Sequence, residues 1–273
     1  MARHALAGGA LGPATGILLV ATLLSSADAF AQEGDVDQQA SVGTASNITP
    51  GTAADGSFLP FTQPASIDRQ RAYALGVSGY DTARHTGTFE AAAEVRLLGP
   101  IAVRGGAVYT NGNRVLRPSF GARAQLLHEA RQGVDGAVGV FYRPEGLTEP
   151  EGEIESVLSV GAHAGRTYFL GNLLYGQDPE GTERDGELRL AALRPVRARF
   201  LIGVDGRLRV DLGSDPAKLA QHHEPTMDAM VGPSATALVG PVALSLQGGG
   251  SALRLQGSTA FGMFVGVGIG TAL

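Results

Sequence analysis

The sequence predicts an all-β chain that closes into a single antiparallel up-and-down transmembrane β-barrel of about 12 strands. Three observations lead there. The last thirteen residues place large apolar side chains at 261, 263, 265, 267, 269 and 273, mostly with glycine or another small residue between them. That period of two gives a strand with one greasy face and one nearly bare face. Glycine fills a sandwich core poorly, but it suits the crowded inner wall of a closed barrel whose other face meets lipid. Secondly, the same alternation recurs from Gln70 onward, broken by turn signals every 12 to 20 residues. Thirdly, no stretch reaches about 18 uninterrupted apolar residues, so strands would have to carry any membrane crossing.

Composition narrows the function. The chain has 273 residues, 40 of them glycine, 44% hydrophobic residues, and no Gly-X-Y repeat, which excludes both collagen-like structure and wholesale disorder. Zero cysteine removes disulfide scaffolds, thiolate metal sites and cysteine nucleophiles. A net charge of -5 and a pI near 5.7 give no footprint for nucleic acid. No cofactor is implied.

Residues 1–31 have the three parts of a secretory signal peptide: Arg3 and His4, an apolar run from Gly16 to Leu24, and Ala29-Phe30-Ala31 as the cleavage site, so the mature chain is expected to begin at Gln32. Residues 32–69 are polar and aperiodic, apart from the island Phe58-Leu59-Pro60-Phe61. This segment reads either as a flexible periplasmic linker or as a small plug tucked against the domain that follows.

Residues 70–273 form the barrel domain. The first strand is expected at 70–82. In the second, 87–98, Phe89, Ala91, Ala93, Val95 and Leu97 oppose Glu90, Ala92, Glu94 and Arg96. The third covers 101–111. In the fourth, 115–128, Leu116, Phe120, Ala122, Ala124 and Leu126 oppose Arg117, Ser119, Gly121, Arg123 and Gln125. Strands at 133–143, 153–164 and 166–177 follow. The eighth, 186–204, contains Pro195, which marks either a bulge or a turn; Leu188, Leu190, Ala192, Val196, Ala198, Phe200, Ile202 and Val204 keep one parity across it, so it is read as one strand. The last four are 207–213, 226–239, 241–250 and 257–273.

This division puts short turns on one rim: 99–100, 129–133, 165–166, 205–206 and 240–241. The long polar loops, 143–153, 178–186 and 213–225, all fall on the other. Tyr109, Tyr142 and Tyr175 sit on the apolar parity near that second rim, as a partial aromatic girdle would.

With the signal, the glycine-rich amphipathic strands and the apolar terminal strand in place, residues 70–273 resemble a Gram-negative outer-membrane β-barrel protein. The likeness is one of class, without a motif of a particular family. It implies outer-membrane lipid as surroundings and the barrel-assembly machinery as a partner in biogenesis. Members usually end in an aromatic residue where this chain has Leu273.

The inward parity collects the candidate lumen residues Glu90, Glu94, Arg96, Arg104, Arg117, Arg123, Asp135, Arg189, Arg197, Arg199, Arg207 and Arg209. They would form either a ladder of ion pairs that fills the barrel or a wet, narrow pore whose arginines favour small anionic solutes. A lipid-acting outer-membrane hydrolase is the rival class, with Ser156, Ser159 and His163 or His222-His223-Glu224 on offer. Ser159 and His163 lie about 13 Å apart along a strand, too far for a hydrogen bond, and no Gly-x-Ser-x-Gly elbow occurs. The paired histidines lack the helical spacing of a metal site. A secreted β-sandwich or lipocalin-like binding module is a third class.

Overall fold

The computed structural model describes Leu59 and residues 61–67, 72–111, 115–144, 152–213, 225–240, 242–255 and 257–272. The expected signal peptide, the whole of residues 32–58, His222-His223-Glu224 and Leu273 lie outside the described residues.

Twelve antiparallel strands close on themselves: β1 (Ala72–Asp81), β2 (Thr86–Leu98), β3 (Ile101–Thr110), β4 (Val115–Leu127), β5 (Asp135–Pro144), β6 (Gly152–Ala164), β7 (Thr167–Gln177), β8 (Arg184–Arg197), β9 (Phe200–Asp211), β10 (Met227–Val239), β11 (Val242–Leu255) and β12 (Ser258–Ala272). One helical turn, α1 (Glu129–Gln132), links β4 to β5. Every strand pairs with its sequence neighbour, and β1 pairs with β12 through Tyr73↔Ala272 to Asp81↔Phe264, so the ladder has no edge.

The outer wall is apolar because alternate residues of each strand face away from the lumen. Leu173, Leu190, Val231, Phe261 and Met263 stand 55–81% exposed on it. Tyr80 and Tyr175 are exposed near the long-loop rim, where Phe120 and Tyr142 also meet edge-on at 5.6 Å. Phenylalanine therefore takes part of the place that tryptophan usually fills in the girdle. On β12, Phe264 faces inward among Gly262, Gly266, Gly268 and Gly270, a large ring on an otherwise bare stretch of wall.

The structure corrects the eighth strand. Segment 186–204 divides at a two-residue turn, Ala198-Arg199, and 205–206 is no turn but the middle of β9. The pairing of β8 with β9 shifts register between Pro195 and Arg197, a bulge. A two-residue hairpin turn alone would move the outward residues from even to odd numbers. The extra bulge residue moves them back. Leu188 and Leu190 before the turn and Ile202 and Val204 after it are therefore all exposed on one face, and the alternation runs through a real turn without a break. The count of strands is unchanged, because the turn moved and did not vanish.

A close backbone approach lies between β10 and β11. Pro233 has no N–H to give the ladder, and the register of the two strands is interrupted between Val231↔Gly250 and Ser234↔Gln247. Here a Cβ on Gly232 would sit 2.7 Å from Gly249 Cα, and one on Gly249 would sit 2.6 Å from Gly232 Cα. Neither backbone can yield without opening the wall. Gly232→Ala or Gly249→Ala is expected to lower the stability of the folded barrel by at least about 1–3 kcal/mol, read as a lower urea midpoint in lipid vesicles. Gly250→Ala, whose Cβ would meet nothing within 4 Å, is expected to leave the midpoint in place.

Candidate functional site

The lumen has two levels. Towards the long-loop rim the inward positions are charged. Arg104 pairs with Glu90 at 2.9 Å, Arg143 with Glu155 at 3.0 Å, Arg189 with Glu187 at 2.6 Å, and Arg209 with Asp185. Asp228 accepts from two arginines, Arg207 at 2.5 Å and Arg84 at 2.9 Å. Arg84 lies in the loop between β1 and β2, and burial lowers its guanidinium below the usual arginine value; Asp228 opposes the shift, and Arg207 and Arg209 add to it. Arg117 makes no ion pair among the described residues. Several of these groups keep a quarter to a third of their surface open: Arg209 35%, Arg143 32% and Arg207 24%. This level is a mixed-charge vestibule reached by water.

Below it, Leu59 and residues 61–67 lie in the lumen as an irregular strap. Leu59, 5% exposed, packs with Tyr168, Leu170, Ala191, Leu193 and Leu201 on β7 to β9. Ile67, 3% exposed, packs with Ala102 and Ala137 on β3 and β5. The first seat centres on β8 and the second on β4, four strands apart in a ring of twelve, so the strap spans part of the lumen from one wall segment to another. Between these anchors Phe61 meets the Phe264 ring at 5.4 Å and lies under the Arg207 guanidinium, also at 5.4 Å.

Polar side chains hold the main chain of the strap. Phe61 N–H donates to Asp205 Oδ2 at 3.2 Å, and its carbonyl accepts from Arg189 at 3.2 Å. Gln63 N–H donates to Asn172 Oδ1 at 2.7 Å, and its carbonyl accepts from Asn172 Nδ2 at 2.9 Å. Arg123 donates to the Pro64 carbonyl at 2.5 Å, and Ile67 N–H donates to Gln125 Oε1 at 2.6 Å. The wall's own N–H and C=O groups are committed to its ladder, so side chains have to supply these bonds. Under the strap Arg123 also reaches over β3 to Glu94 at 2.7 Å, with the two side chains 3% and 4% exposed.

The twelve sequence candidates therefore separate. Glu90, Arg104, Arg117, Arg189, Arg207 and Arg209 lie in the vestibule half; Glu94 and Arg123 lie at the strap. Asp135 is buried nearer the short-turn rim, accepting from Gln125 Nε2 at 3.1 Å and from the first N–H of α1, that of Glu129, at 2.8 Å. Arg96 lies at that rim, donating to the Gly99 carbonyl at 2.6 Å. Arg197 and Arg199 are corrected: both are exposed on the short-turn rim, because the bulge turns Arg197 off the inward parity and Arg199 sits in the turn itself.

Gln125, Asn172, Glu187 and Asp205 were not singled out from the sequence. Asp205-Gly206 reads as a turn dipeptide, whereas Asp205 is 0% exposed and faces the strap. The serine and histidine candidates do not converge. Ser156 faces outward and is exposed, Ser159 accepts from Asn172 Nδ2 at 2.9 Å, and His163 is held by Glu129 at 2.8 Å and stacked on Tyr168 at 4.4 Å.

Comparison with solved structures decides the class of this wall. The NanC porin superposes with a TM-score of 0.55 over 73% of this chain and 100% of its own, at 9% identity. The fold is that of an outer-membrane β-barrel. The KdgM porin gives 0.49 over 74% of this chain and 99% of its own at 6% identity, and LpxR from Salmonella typhimurium 0.46 over 74% and 100% at 8%. At these identities the likeness is one of fold. No protein-family model matches the chain, and no curated protein matches it in sequence.

Proposed function

We propose that the protein is a narrow channel of the bacterial outer membrane, exported with a signal peptide cleaved after Ala31, folded by the barrel-assembly machinery and surrounded by outer-membrane lipid. The observation that carries this reading is the half-open vestibule. Charged side chains filling a dry core would be fully covered and matched, whereas Arg143, Arg207 and Arg209 keep contact with water. Mixed rings of fixed charge at a constriction pass small charged solutes and tune their sign. Arg117, with no carboxylate partner among the described residues, tips that balance towards anions.

The test is planar-bilayer recording of the purified protein under a KCl gradient. Arg117→Gln together with Arg209→Gln removes two vestibule charges that make no bond with the strap. The reversal potential is expected to move towards the potassium equilibrium potential, since the carboxylate of Asp185 is then left without Arg209. Absence of conductance steps, or steps with an unaltered reversal potential, would overturn the reading.

A further inference from the structure

The strap is bound as a guest. None of its hydrogen bonds described above uses the main chain of the wall, and all twelve strand pairings of the closed ring are made without it. Its departure therefore leaves the ladder whole.

The manner of binding is specific to extended polypeptide. Residues 61 and 63, two apart, each present N–H and C=O to one side, as alternate residues of a strand do. The wall answers both: Asp205 with Arg189 for Phe61, and the single Asn172 amide, accepting and donating at once, for Gln63. Within the wall itself Asn172 Nδ2 also donates to Ser159 Oγ at 2.9 Å and to the Gly171 carbonyl at 3.1 Å, so its amide is oriented by the wall as well as by the strap. Beside them on β10 and β11, Ser234 Oγ, Thr236 Oγ1 and Gln247 Oε1 are buried and find no partner among the described residues. A wall that only had to pack against a permanent filler would be apolar there.

Side-chain selection comes from two apolar seats. Leu59 fills the one lined by Tyr168, Leu170, Leu193 and Leu201, and Phe61 occupies the one between Phe264 and Arg207. These seats are two residues apart along the chain, the spacing at which an extended peptide points side chains the same way.

We propose that the lumen is a binding site for an extended peptide with apolar side chains two residues apart, and that residues 59–67 are its tethered occupant. A tethered guest competes at the millimolar effective concentration of a short linker, so a free peptide enters only when the strap is weakened or outcompeted. The proposal rests on the channel reading for the route by which a peptide arrives, whereas binding itself does not depend on conductance.

The probe is a fluorescent synthetic peptide with the sequence of residues 59–67, followed by polarisation against the full-length protein in detergent. Two forms empty the site: the full-length Leu59→Ser/Phe61→Ser/Ile67→Ser variant, and a chain carrying a protease sequence at position 70, cut after folding so that the barrel forms with its strap in place and then washed in detergent until mass spectrometry shows the cut segment gone. Both are expected to bind the peptide saturably and the uncut wild-type protein at least about tenfold more weakly. Adding Asn172→Ala or Asp205→Ala to either form is expected to weaken binding by about tenfold or more. The proposal is overturned if the emptied forms, shown to be folded by heat-modifiable gel mobility, do not bind. It is equally overturned if neither substitution matters, or if the intact chain binds as well as the emptied one. Peptide binding without conductance would overturn the channel and leave the site; conductance without binding would do the reverse.

Discussion

The full-length variant Leu59→Ser/Phe61→Ser/Ile67→Ser is expected to conduct several-fold more than the wild-type protein in planar bilayers. The magnitudes favour apolar anchoring as the deciding contribution. Fixing the strap costs about 1–2 kcal/mol of backbone entropy per residue, whereas each of its six hydrogen bonds returns only about 0.5–1.5 kcal/mol net. The bonds alone therefore fall short. Burial of Leu59 and Ile67, at about 1.5–3 kcal/mol each, with the Phe61 contact to Phe264, closes the gap, so losing the three side chains releases the strap.

What remains at that level is a wall able to hold water. Ser159, Asn172, Ser234, Thr236, Ser245 and Gln247 all face the lumen there, with Ser245 and Gln247 directly beside Gly268 and Gly266 of β12. A polar constriction stays wet, whereas an apolar one closes by dewetting. A folded triple variant with wild-type conductance would show that the strap does not limit the pore. Heat-modifiable mobility separates that outcome from a barrel that simply failed to form.

The parts legible in the sequence are those that lipid enforces. Leu173 and Leu190 have to be apolar to face hydrocarbon, so period two is strong in every strand and the even count with its two kinds of rim follows. The Ala198-Arg199 turn was hidden because a bulge at Pro195 cancels the parity change that would have announced it. The strap was only half legible. The island around Leu59 and Phe61 stands out as apolar, yet the main chain that follows it is held by single neutral amides, Asn172 at Gln63 and Gln125 at Ile67, whose meaning depends on what crosses the lumen in front of them. Which arginine meets which carboxylate is likewise a matter of register and loop reach. Arg84 and Asp228 are 144 residues apart and meet only because the loop after β1 folds over the vestibule.

Removing Glu94 is expected to be among the most damaging single substitutions in the wall, and removing its partner less so. Arg123 has two partners, Glu94 and the Pro64 carbonyl, and its side chain is 3% exposed. In Glu94→Leu the guanidinium is left buried with one neutral acceptor, the situation in which breaking a buried pair costs about 3–5 kcal/mol. In Arg123→Leu the Glu94 carboxylate still faces Arg104, its cross-strand neighbour on β3, so the loss is smaller. The double variant Glu94→Leu/Arg123→Leu removes both charges, and Arg104 keeps Glu90 at 2.9 Å, so most of the lost stability is expected to return. Urea midpoints of the four proteins in vesicles measure this directly. Equal losses for the two single variants, or a double variant as unstable as their sum, would mean that the pair does not act as one buried unit. The same double variant also lacks the Arg123 bond to Pro64, so it is expected to recover its fold while loosening the strap, which separates what holds the wall from what holds its guest.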